Sequence, residues 1–164
     1  MDNMEFKSIK VDGSGLSISW SDERTNEAGQ KFTDDFTRKM SDTPHPDLND
    51  ALEAMKEEFM DYFGFGPESA DSVEVTGINL STGMGDIEKI SISGKKTAKN
   101  GQVTGMSARG IMLDKDVWKW EDRLAEKRDV FLDEVKQYMN GKSAQLKLDL
   151  DTEEPQEETE EKAA

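Results

Sequence analysis

The 164-residue sequence predicts an α+β fold: an antiparallel β-sheet covered by two α-helices, in the order βββ-α-βββ-α-β, followed by a disordered acidic tail. Three observations predict it. Two groups of three runs alternate apolar and polar residues, as half-buried strands do. Each group is followed by a stretch with apolar residues at helical spacing and a glycine just past its end. The last fourteen residues, DTEEPQEETEEKAA, hold seven carboxylates, one lysine, one proline and nothing apolar larger than alanine, too little to fold alone. One domain over 1–150 and a tail over 151–164 are therefore expected.

The first strand covers 6–11, and Asp12-Gly13-Ser14-Gly15 turns the chain into a second, where Leu16, Ile18 and Trp20 alternate with serines. A polar loop over 22–29 leads to a third strand over 30–38, with Phe32 and Phe36 on one face. Thr43-Pro44-His45-Pro46-Asp47 stiffens the chain and suits a helix start. Leu48, Leu52, Met55, Phe59, Tyr62 and Phe63 then mark one amphipathic helix over 47–63, ended by Gly64 and Pro67. Strands over 73–80, 87–97 and 102–113 follow as a meander, and Asn100-Gly101 is the strongest hairpin signal in the chain. Asp114 caps a second helix running to residue 140, with Val117, Trp120, Leu124, Phe131, Val135 and Tyr138 near one stripe and Gly141 past its end. Its middle, 126–129, reads as solvated. A last strand over 143–150 places Ala144, Leu146, Leu148 and Leu150 on one face. The two βββα stretches hint at an internal duplication.

Thirty-six acidic and 21 basic residues give a net charge of -15. Such a field opposes non-specific contact with nucleic acid or anionic membrane and favours cationic partners. The chain holds no cysteine, so disulfides, thiolate metal sites and a cysteine nucleophile are excluded, which suits a reducing compartment. No signal-peptide pattern opens the sequence, and no apolar run reaches the roughly 18 residues of a membrane span. A cytoplasmic protein without membrane contact is expected.

Motifs that would carry chemistry fail on inspection. Asn140-Gly141-Lys142-Ser143 resembles the end of a phosphate-binding loop, but Lys136 stands where that loop needs glycine, and a helix ends here where one should begin. Gly94-Lys95-Lys96-Thr97 lies inside a strand. Ser107, in GMSARG, lacks the strand-to-helix turn of a nucleophile elbow, and the single histidine, His45, sits between prolines and reads as a turn residue. Asp149, Asp151 and Glu153 copy alternate positions of a calcium loop without its glycine. Glu53, Glu57 and Asp61 share a helix face with no histidine. No catalytic residue, metal or cofactor is predicted. A cationic hairpin carrying Lys95, Lys96 and Lys99, with Arg109 and Lys115 nearby, is the best candidate for a binding surface. Trp118 and Trp120, about 200° apart on a helix, cannot both face a core, so one is available to stack on a base or anchor a partner.

In Pro44-His45-Pro46-Asp47-Leu48, Val75-Thr76-Gly77-Ile78, ISISG over 90–94, Asn100-Gly101 and GKSAQL over 141–146, the chain resembles small proteins encoded by tailed phages and prophages. That resemblance implies company with recombination and replication genes, a host-cytoplasm location and no assigned activity. Bacterial and phage single-strand-binding proteins also carry acidic C-termini, but theirs end in an apolar tip where this chain ends Lys162-Ala163-Ala164.

Two functions follow as expectations. The first is a non-enzymatic interaction protein whose acidic surface and tail, through Glu153, Glu154, Glu157, Glu158, Glu160 and Glu161, bind a basic protein that handles nucleic acid, mimicking a polyanion. The second is direct single-stranded nucleic-acid binding by Lys95, Lys96, Lys99, Arg109 and Trp118, with the tail as internal competitor.

Overall fold

Period-two alternation in both strand groups builds one sheet. The computed structural model describes residues 4–113 and 121–143, with side chains from residue 123 in the second stretch. Strands β1 (Met4–Asp12), β2 (Gly15–Thr25) and β3 (Lys31–Met40) form one meander, and β4 (Val73–Thr82), β5 (Glu88–Thr97) and β6 (Val103–Met112) another. The sheet is antiparallel throughout, in the order β3-β2-β1-β4-β5-β6. The predicted α+β class holds. The expected strand over 143–150 and the tail lie outside the described residues, apart from a bridge between Ser143 and Pro44.

The two meanders meet first strand to first strand, through Ser8, Ile9 and Lys10 opposite Asn79, Ile78 and Gly77. Each carries a bulge at the matching place on its first strand, between Phe6 and Ser8 in one and between Val75 and Gly77 in the other. Ile9, Ile18 and Arg38 thus take the places of Ile78, Ile92 and Ala108. A shared bulge is a specific structural feature, and it supports the duplication that the βββα order hints at.

One sheet face is apolar and covered. Ile9, Ile18, Ile78, Ile90 and Ile92 lie there with no exposed surface. Over them lie α1 (Pro46–Glu53), α2 (Lys56–Phe63) and α3, described over Glu121–Met139, which bury Leu48, Leu52, Met55 and Phe59 and then Leu124, Phe131, Val135 and Tyr138.

The single helix expected over 47–63 is two. Neither proline nor glycine breaks it. Met55, wholly buried at φ -82° and ψ -2°, turns the chain, its N–H reaching Leu52 three residues back. Packing decides this against local propensity: α1 lies on α3 and β4, whereas α2 follows the sheet to β4 and β6. Both helix ends read from glycine hold. Gly64 (φ +69°) and Gly141 (φ +103°) close Schellman motifs, in which Phe65 N–H reaches Met60 and Lys142 N–H reaches Gln137.

The middle of α3 differs from its expected solvation. Glu126 and Asp129 are exposed, but Lys127 and Arg128 are half-buried. Lys127 Nζ lies 2.6 Å from Oε1 of Glu58 on α2, and Arg128 pairs with Glu88 at the start of β5. Glu58 is itself 1% exposed.

Candidate functional site

The second sheet face has no layer over it among the described residues, and its composition explains why. Outward positions carry mostly hydroxyl, amide and lysine side chains, in rows of which one crosses all six described strands and the next five of them. One row runs Lys39, Ser17, Lys10, Gly77, Ser93 and Ser107, and the next Thr37, Ser19, Ser8, Asn79 and Ser91. Ser19 and Thr37 hydroxyls share a hydrogen bond of 3.0 Å, and Ser91 Oγ accepts the Gly110 N–H at the β6 bulge. There is little apolar area here to attract a second layer, so a partner for this face must be polar.

Charge is segregated between the two sides. Lys7, Lys10, Lys31, Lys39, Lys89 and Lys95 share the open face with Glu5, Asp12, Glu23, Asp35 and Glu74, so cations hold the majority in a chain where acids outnumber bases 36 to 21. Lys7, Lys39 and Lys95 are paired, with Asp35, Asp12 and Glu74. Hydrogen bonding to Glu23 raises the Lys31 ammonium above the usual lysine range. On the helical side the balance reverses: residues 46–72 contain eight carboxylates and one lysine. Four of them, Asp50, Asp61, Glu68 and Asp71, are exposed and form no ion pair among the described residues.

The predicted cationic hairpin does not form one patch. Lys95 lies on the open face, 3.0 Å from Glu74, while its strand neighbour Lys96 turns to the other face, with Nζ 4.1 Å from the centre of the Phe65 ring. Lys96 and Lys99 line a groove of about 600 Å³ together with Glu68 and Asp71, which offset their charge. Arg109 stands opposite Ser91, away from the hairpin tip. Lys115, Trp118, Trp120 and the six tail glutamates, Glu153 to Glu161, lie outside the described residues. Local sequence does not mark the rows of serines or the acidic run over 46–72 as surfaces, although Ser17, Ser19 and Ser21 alternate with apolar residues along β2.

Candidates for chemistry take structural places. His45 caps α1, its Nδ1 accepting the Asp47 N–H. A hydrogen bond from Lys142 holds the Asp47 carboxyl below the usual carboxylate range, and bonds to Glu134 and Asp47 raise Lys142 in turn. Ser107 lies within β6, and Gly94-Lys95-Lys96-Thr97 within β5. Glu57 is tied to Arg123 and Lys127. Among the described residues no group of three or more potential ligands is placed to hold a metal ion, and no helix is long and apolar enough to cross a membrane.

No family model matches the chain, no curated protein does, and no solved structure does.

Proposed function

We propose that this is a non-enzymatic interaction protein of phage type that presents its acidic helical side, together with the acidic C-terminal segment, to a basic protein of the kind that handles nucleic acid. The observation that carries this reading is the segregation of charge. Acidity kept only for solubility would be spread over both faces, whereas here the run over 46–72 holds eight carboxylates to one lysine and the open face has a cationic majority. Complementary fields of this kind set association rate and partner choice, and they weaken with salt.

A labelled arginine-rich peptide titrated into the full chain tests the proposal. Neutralising Asp50, Asp61, Glu68 and Asp71 to their amides should weaken binding far more than neutralising Glu5, Glu23 and Asp35 on the open face. Equal losses from both sets would mean diffuse attraction and sink the reading.

The cationic majority of the open face favours a second reading, single-stranded nucleic-acid binding along the hydroxyl rows. Lys10, Lys89 and Arg109 form no ion pair among the described residues and are the groups available to phosphates. Anisotropy of a labelled oligonucleotide at low salt, with intact chain and with a chain ending at Leu150, separates the two. Salt-sensitive binding lost in Lys10→Glu and Lys89→Glu supports the second reading; no binding by either chain removes it.

A further inference from the structure

We propose that the outer edge of β3 is an interface between two copies of this chain, pairing antiparallel about a two-fold axis through Phe36. Among the described residues, the two ends of the sheet differ in a way that selects this edge. At β6 the ladder is broken between Ile90 and Ile92, where Gly110 takes φ +66°, and a bulge of that kind turns an edge away from pairing. β3 carries charged side chains but no bulge: it pairs with β2 in unbroken register from Lys31 to Met40, which leaves its outer edge straight and regular, and its charges are the ones a second copy can pair. Its helix-side flank, which carries Phe32, Asp34, Phe36, Arg38 and Met40, also has apolar surface beyond the helices. Phe32 is 44% exposed, and Phe36 is stacked on Trp20 at 5.5 Å with Arg24 over its ring.

The sequence of this strand, KFTDDFTRKM, is self-complementary about Phe36. With Phe36 facing its own copy, Asp34 falls opposite Arg38 of the second copy and Arg38 opposite Asp34. Phe32 meets Met40 at both ends. On the other flank Thr33 meets Lys39, and Asp35 meets Thr37. Every opposed pair is then apolar, of opposite charge, or polar without like charges, and such cross-strand pairs are the unit of sheet stability. Sliding by two residues one way opposes Asp35 to its own copy; sliding the other way sets Asp34 against Met40 and Arg38 against Phe36. Arg38 is exposed and forms no ion pair among the described residues, so its partner across the axis is its first. The contact is isologous, as closed two-fold dimers require, and joins two six-stranded sheets into one.

Sedimentation velocity of the full chain over a wide concentration range tests this. Twice the 18.4 kDa chain mass should appear as concentration rises. Asp34→Arg alone and Arg38→Asp alone should each weaken the dimer by roughly tenfold or more, because each opposes like charges twice across the axis. Mixing those two variant chains should restore dimerisation, since each Arg then meets an Asp of the other chain. Because the mixture uses the same two folded chains, misfolding cannot imitate that rescue. A monomer at every concentration, as when residues beyond the Ser143 bridge occupy the edge instead, overturns the proposal. So does a dimer indifferent to both variants, or a mixture no tighter than either variant alone.

Discussion

Gly94→Ala is the sharpest test of the packing between the helices and the sheet. A Cβ at this position would stand 2.8 Å from Cζ of Phe59 and 2.7 Å from the Glu74 carbonyl oxygen. The carbonyl belongs to the β4–β5 ladder and yields little, so that contact strains the strand pair, and the ring must in addition retreat by about 0.6 Å, from 2.8 Å to the 3.4 Å where ordinary contact begins. Retreat is opposed. Phe59 is wholly buried and meets Phe63 edge-on at 5.0 Å, Phe63 stacks on Phe65 at 5.6 Å, and Lys96 caps that ring. Overpacking of this kind costs about 1–3 kcal/mol, and the lower chain entropy of alanine in the unfolded state offsets roughly 0.5 kcal/mol of it. The net expectation is a loss of about 1.5 kcal/mol, or about 3–6 °C in Tm for a chain of this size. Urea unfolding of the four chains of a Gly94→Ala, Phe59→Leu cycle measures it. Shortening the ring should relieve the alanine by about 1 kcal/mol of coupling. Stability within about 0.5 kcal/mol of the parent, or an equal cost in both backgrounds, would refute the argument.

Lys127→Ala should cost about 3 kcal/mol, toward the lower end for a broken buried pair, because it strands Glu58, whose Oε2 already lacks a hydrogen-bond partner. Glu58→Leu combined with Lys127→Met should recover most of that loss in the same urea assay. Burial raises the Tyr138 phenol above the usual tyrosine range, with the Asp42 charge adding to it. The folded state therefore holds that proton more tightly, and stability present below the unfolded value of about 10 is lost as pH rises through the folded one. Tyr138→Phe should lose about 1 kcal/mol at neutral pH with its hydrogen bond to the Asp42 carbonyl, and should flatten the alkaline limb of a pH–stability curve. Asp47 has the opposite sign: its lowered carboxyl contributes stability above its unfolded value that fades as pH falls through the folded one. Asp47→Asn should flatten the acid limb.

Local features of this fold are legible because they depend on local chemistry. Asn100-Gly101 makes the turn it signals, Gly64 and Gly141 end helices in the left-handed region, and alternating Leu16, Ile18 and Trp20 mark a strand. The break at Met55 is not legible, since its cause is what the two halves of the helix pack against. Nothing local in the sequence marks Glu58 as buried and paired, because its partner lies 69 residues away. Strand order likewise rests on the non-local pairing of Ile9 with Ile78. The division of Lys95 from Lys96 was open to view, since neighbours on a strand point to opposite faces. The charge asymmetry was not, because it depends on which strand positions face outward in all six strands together.

The joint between the two meanders has a consequence for how the chain assembles. Each meander is built from pairings between strands adjacent in sequence, whereas the joint closes a loop of about seventy residues for the ladder between Ser8–Lys10 and Gly77–Asn79 alone. Gly77 permits that closeness, since a Cβ there would stand 2.4 Å from the Ile9 carbonyl oxygen. Local hairpins form early and distant pairings late, so the halves should acquire their own order first and zip together last. Amide exchange should then show less protection along the β1–β4 ladder than along the β1–β2 and β4–β5 ladders on either side of it, although a static view would place the most secure part of the molecule in the middle of the sheet.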